Sequence, residues 1–106
     1  MPDERWSAHE KKIARRVFEQ ALSVELAQTI AEFKSRAAAI AGPDDMWPLE
    51  EFLQRRRREI DVKYDYRYSQ LRVVFGLLLR EGRISEDALA GLSEDKLAVI
   101  RRVARL

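Results

Sequence analysis

The residues best equipped for chemistry are crowded into one stretch, Asp44 to Tyr68, which reads DDMWPLEEFLQRRRREIDVKYDYRY. It offers two acidic pairs, a tryptophan, four consecutive arginines and all three tyrosines. Asp44 and Asp45 have the chemistry of a cation site, but two aspartates before a helical run are equally explained as helix caps. Glu50 and Glu51 have the chemistry of an acid–base pair. Neighbouring residues on a helix point about 100° apart, so these two do not face one another. Arg55 to Arg58 are the strongest local charge. On a helix, four consecutive side chains spread around more than a full turn, giving a collar. A phosphate-binding stripe needs cations three and four apart. Trp47 suits a core or interface anchor. Tyr64, Tyr66 and Tyr68 fall on different faces if the segment is helical, which predicts no stacking ladder and at least one ring exposed or bonded to a charge.

Elsewhere the inventory is thin. His9 is the only histidine and there is no cysteine. A metal at His9 would need carboxylates from distant parts of the chain. No nucleophile elbow, phosphate loop or metal-ligand spacing occurs. The expectation is a protein that is not an enzyme and has no cofactor.

The elements that must position these residues follow from composition and periodicity. The 106 residues suit a single domain over 1–106. Charged residues make up 36%, above the usual share of about 25%, and breaks are scarce. This points to an all-α protein with a large surface. Residues 1–53 hold seven Lys/Arg against ten Asp/Glu, and residues 54–106 hold thirteen against eight. Such halves favour antiparallel self-association, or equally pairing within one chain. The charged N-terminus has no apolar signal region, and no apolar run approaches the roughly 18 residues of a membrane span. A cytoplasmic location is expected.

Residues 1–6 are expected to fray. Ser7 and Glu10 read as a capping box. Apolar residues from Ile13 through Val17, Phe18, Ala21, Leu26 and Ile30 to Ile40 predict a helix over about 8–40. It is longer than a compact domain needs, so part of its stripe requires cover, most simply from a second chain. Gly42 and Pro43 end it. Pro48 suits the first turn of the next helix. That helix is either continuous over about 46–81 or bent near Asp61–Asp65. Ser85 and Ser93 predict a short helix and a last one ending near Ala104. The architecture is two long helices in an extended hairpin over about 8–70 and a small helical head over about 71–106.

These residues carry a resemblance. Asp44-Asp45-Met46-Trp47 with Leu49, then Phe52-Leu53, Arg57, Glu59-Ile60-Asp61 and Lys63 to Ser69 resemble the signature of the fluorescence recovery protein family. So do Trp6-Ser7, Phe75, Glu81-Gly82, Asp95-Lys96 and the Ala104-Arg105-Leu106 ending. The resemblance implies an all-α antiparallel homodimer that binds no pigment. It implies binding to the photoactivated orange carotenoid protein, chiefly its C-terminal domain, faster return to the orange form, and an end to quenching at the phycobilisome. In a cyanobacterium this places the protein at the cytoplasmic side of thylakoids. Trp47 and Arg57 correspond to the functional patch, and Glu50-Glu51 stand where the family has His-Asp. In the head, Val73 stands at a phenylalanine linked to partner binding and Val99 at a lysine. Two partner readings follow: the carotenoid protein, or another protein in an organism without phycobilisomes. A basic helical nucleic-acid binder using Arg55 to Arg58 is the alternative from another class.

Overall fold

The helix that organises the chain begins where its sequence can satisfy its own end. The computed structural model describes residues 5–106. The Glu10 amide donates to the Ser7 hydroxyl at 3.1 Å, and the Ser7 amide donates to the Glu10 carboxylate at 3.0 Å. This box starts α1, Ala8–Ala38, which is 31 residues long and thus ~46 Å. A short 3₁₀ turn, Pro43–Asp45, follows. There Asp45 accepts from the Ala41 amide at 2.8 Å and the Gly42 amide at 3.2 Å. Its carboxylate therefore fastens the preceding loop and does not cap the following helix.

The next helix, α2, spans Met46–Lys63, with Pro48 in its first turn as expected. Of the two forms open to residues 46–81, the interrupted one is correct. The chain leaves the helix at Tyr64 (φ −93°, ψ 73°), crosses an irregular segment to Gln70, and resumes as α3, Leu71–Arg80. Past α3, Gly82 adopts φ +75°, and the Gly82 and Arg83 amides return to the Leu79 and Leu78 carbonyls. That reversal uses the left-handed region where glycine is not penalised. Ser85 and Ser93 then cap a 3₁₀ turn, Glu86–Leu89, and the last helix, α4, Glu94–Ala104.

The core lies at one end. Ile13, Ala14, Val17, Phe18 and Ala21 of α1 pack with Leu71, Val74, Phe75 and Leu78 of α3, and with Leu89, Leu92 and Ile100. The packed head thus takes in the first turns of α1 as well as the elements after Leu71. Trp6, placed among residues expected to fray, is only 3% exposed and belongs to this core. Residues 1–4 lie outside the described residues. Beyond Ala21 the picture changes. Val24, Leu26 and Ile30 of α1 are exposed, and α2 buries only Phe52 and Ile60. The molecule measures 54 × 26 × 25 Å, with a radius of gyration of 16.9 Å against about 13 Å for a compact chain of this length. It is a head on an arm, and all-α.

At Gly76, α3 packs tightly against α4. A Cβ there would lie 2.5 Å from Val103 Cβ and Cγ1 and 3.0 Å from the Ile100 carbonyl oxygen. Alanine normally stabilises a helix interior over glycine by roughly 0.5–1 kcal/mol. Here overpacking of about 1–3 kcal/mol decides the sign. Gly76→Ala should therefore lower unfolding stability by about 1–2 kcal/mol, measured by urea denaturation.

Candidate functional site

Head and arm meet at a buried carboxylate. Glu25 occupies the apolar stripe of α1, four residues after Ala21, and is 5% exposed. Its oxygens receive Lys63 Nζ at 2.9–3.0 Å, the Tyr64 hydroxyl at 2.7 Å and Arg83 Nε at 3.2 Å. Glu81 completes the cluster against Lys63 and Arg83 at 2.8 and 3.0 Å. Burial pushes the Glu25 carboxyl up. The hydrogen bonds from Lys63 and Tyr64 and the charges of Lys63 and Arg83 outweigh it and hold the group below its ordinary range. Burial and the bond to Glu25 push the Tyr64 phenol well up. A charged residue on the apolar face of α1 was the sequence signal for this joint, and periodicity alone passes over it.

The tyrosines correct a sequence expectation. Because Tyr64 to Tyr68 are not helical, they do not spread over different faces. Phe18 meets Tyr64 edge-on with centroids 5.4 Å apart and Tyr66 at 4.8 Å. Tyr66 meets Tyr68 at 5.8 Å, and Tyr68 meets Trp6 at 5.7 Å. The result is one aromatic seam along the N-terminal half of α1. The expectation that one ring binds a charged group holds for Tyr64.

A second buried ion pair closes the head. Glu10 serves the α1 cap and also receives the Ser93 amide at 2.8 Å and Lys96 Nζ at 3.1 Å. Lys96 also donates to the Arg5 carbonyl at 2.8 Å and lies 5.0 Å over the Trp6 ring. One carboxylate thus joins the starts of α1 and α4.

On the arm, Trp47 is 56% exposed, and Met46, Leu53, Leu26 and Ile30 are exposed with it. Glu50 and Glu51 are exposed on the same helix as Trp47. Arg57 stands in solvent, with Asp61 at 3.7 Å. Arg56, which the sequence did not single out, is the arginine committed to packing. It donates to Thr29 at 3.1 Å and Glu32 at 3.1 Å, with its guanidinium 4.9 Å from the Phe52 centroid. The arginine run is therefore divided between an internal tie and a solvated edge, with no continuous stripe. Val73 is exposed on α3; Val99 lies on α4 beside Arg5, Arg72 and Asp95 around a hollow of about 630 Å³. Val73 and Val99 thus lie on α3 and α4 of the head, and Trp47 and Arg57 on α2 of the arm. Among the described residues no group of three His, Asp or Glu side chains is arranged to hold a metal, and no helix is long and apolar enough to cross a membrane.

Comparison with known proteins follows the same outline. Residues 6–104 match the family described as photoprotection regulator fluorescence recovery protein. The chain is 40% identical over 101 residues to the fluorescence recovery protein of Synechocystis, covering 95% of this chain and 93% of that protein. It is similar to the solved structures of that protein and of the Fremyella diplosiphon fluorescence recovery protein. Each has a TM-score of 0.90, at 40% and 39% identity, covering 95% of this chain and 99% of the other.

Glu25 generates a stability prediction. Its folded-state pKa lies below its unfolded value. Its contribution is therefore complete above the ordinary carboxylate range and is lost as pH falls below that range through the lower folded-state pKa. Glu25→Gln leaves Lys63 and Arg83 short of charge and should cost about 3 kcal/mol at neutral pH. Urea melts from pH 7 to 3 should show the variant losing less stability on acidification than the wild type.

Proposed function

We propose that this chain, which belongs to the fluorescence recovery protein family of photoprotection regulators, acts as a non-enzymatic homodimer. In this reading it binds the photoactivated orange carotenoid protein, chiefly through that protein's C-terminal domain. Binding accelerates return to the orange form, and quenching at the phycobilisome ends. The observation that carries the dimer is the uncovered apolar face of the arm, where Leu26, Ile30, Met46, Trp47 and Leu53 are all exposed. Phe52 and Ile60 are the only buried apolar residues of α2, at roughly 1.5–3 kcal/mol each. That is small against ordering 18 residues at about 1–2 kcal/mol apiece. A second copy laid antiparallel along the arm supplies the missing burial. It would have Trp47 as anchor and Arg57, Glu50 and Glu51 as its polar surroundings.

A second reading keeps the dimer and changes the partner. Val73 and Val99 stand where the family resemblance puts a phenylalanine and a lysine, so the head offers less aromatic area and one charge fewer. Val73 is 42% exposed, which leaves it available to a different, aliphatic surface. Mixing the protein with photoactivated carotenoid protein separates the readings. Faster red-to-orange absorbance recovery supports the first. Unchanged recovery at saturating protein rejects it and leaves the dimer with another partner.

Trp47→Glu places a charge in the proposed interface. It should weaken the dimer by at least about 2 kcal/mol, or roughly 30-fold, read by analytical ultracentrifugation. Arg57→Glu should weaken it less, because the arginine is solvated in the single chain. Wild-type protein that is monomeric at micromolar concentration would contradict the dimer.

A further inference from the structure

The first turns of α1 carry charge that works against their own folding. Lys11, Lys12, Arg15 and Arg16 are all exposed. Lys11 with Arg15 and Lys12 with Arg16 are four apart, so the cations form two adjacent rows on one face. Like charges at this spacing destabilise a helix slightly. Lys11, in the first turn, also meets the positive end of the helix dipole, which disfavours a cation there. Local rules broken in this way tend to mark functional surface.

The face is built, not loose. Lys11 Nζ lies 5.0 Å from the centroid of Tyr68, and the Arg15 guanidinium 4.6 Å from that of Tyr66. Those rings are held in turn by Phe18 and Trp6. A shallow hollow of about 500 Å³ lies among the four cations, Glu19 and Tyr68. Among the described residues Glu19 is the one carboxylate lining it; its bond to Arg15, 3.3 Å long between exposed groups, is a weak surface pair and yields readily to a competitor. Among the described residues Arg16 has only a long hydrogen bond, 3.5 Å, to the Ala88 carbonyl.

We propose that this cationic, tyrosine-floored stripe docks an acidic segment of a partner protein. Charge complementarity calls for carboxylates or phosphates, and the geometry separates them. From Lys11 to Arg16 the stripe is only ~8 Å long at 1.5 Å per residue. That suits a few carboxylates on a helix or loop and is too short to follow a nucleic-acid backbone. The ring faces that would stack on bases are already occupied by Lys11 and Arg15. The stripe lies on the N-terminal turns of α1, ten residues before Leu26, the exposed apolar residue with which the arm's face begins. Its chemistry does not depend on which protein carries the carboxylates.

The test therefore uses a probe independent of any carotenoid protein. A fluorescein-labelled glutamate-rich peptide is titrated with the full chain by fluorescence polarisation at low salt, beside a single-stranded oligonucleotide of equal charge. Saturable peptide binding is expected. It should fall about tenfold in Lys11→Glu/Arg15→Glu, and again as salt rises from about 50 to about 200 mM. Arg55→Glu/Arg58→Glu, which reverses charge on the arm, should stay within twofold of wild type. Circular dichroism checks helix content, and Lys11→Gln/Arg15→Gln replaces the reversal variant if that one unfolds. The proposal is overturned by no saturable peptide binding, by equal binding in the stripe variants, by an equal loss in the arm variant, or by tighter binding of the oligonucleotide.

Discussion

Glu25 is the last buried residue of α1, and the packed part of the molecule ends with it. A carboxylate taken out of water costs several kcal/mol unless its partners are all present. Here they arrive from three places: Lys63 at the end of α2, Tyr64 in the break that follows, and Arg83 beyond α3. Satisfying one charge therefore fixes where α2 stops, how the chain turns, and where α3 must end. The Tyr64 ring against Phe18 then holds the turn on the core side. Past this point α1 has no head to lean on, and its apolar residues come to the surface. Head and arm are two consequences of one buried group.

Much of this was legible in the sequence, and the failures have common causes. Capping chemistry is local, so Ser7, Ser85 and Ser93 marked their helices correctly. Periodicity is local too, and α1 came within two residues of its observed end. The break at Tyr64 could not be settled that way. No proline or glycine lies between Leu49 and Phe75, and the helix stops because tertiary contacts to Glu25 and Phe18 outweigh propensity. The same override gathers the three tyrosines, whose helical spacing had dispersed them. Trp6 was misjudged because its partners, Tyr68 and Lys96, are more than sixty residues away.

The arginine run shows how type and spacing mislead when the neighbouring helix is unknown. Four adjacent arginines looked like one feature. Packing against α1 splits them, since only Arg56 faces Thr29 and Glu32. The cations that do share a face, Lys11, Lys12, Arg15 and Arg16, were less conspicuous because Ile13 and Ala14 interrupt them. Their aromatic floor also comes from a segment some fifty residues later. Helical spacing was visible in both cases, but which spacing mattered depended on what lay beneath.

A regulator with no catalytic groups can accelerate a partner's relaxation only through differential binding. It must hold the intermediate or transition state more tightly than the starting form, because uniform binding shifts nothing. Each tenfold in rate requires about 1.4 kcal/mol of such difference. Two features of this chain suit that demand. The head is stiffened by two buried ion pairs, Glu10–Lys96 and Glu25–Lys63, so a bound surface meets a fixed shape and cannot recover its preference by deforming the binder. The arm presents its exposed apolar residues at the other end of a 54 Å body, which in the proposed dimer would separate self-association from a partner held by the head. In the proposed dimer, affinity spent on pairing the arms would be identical in every state of a partner and would cancel from the rate, so discrimination between those states would rest on the head.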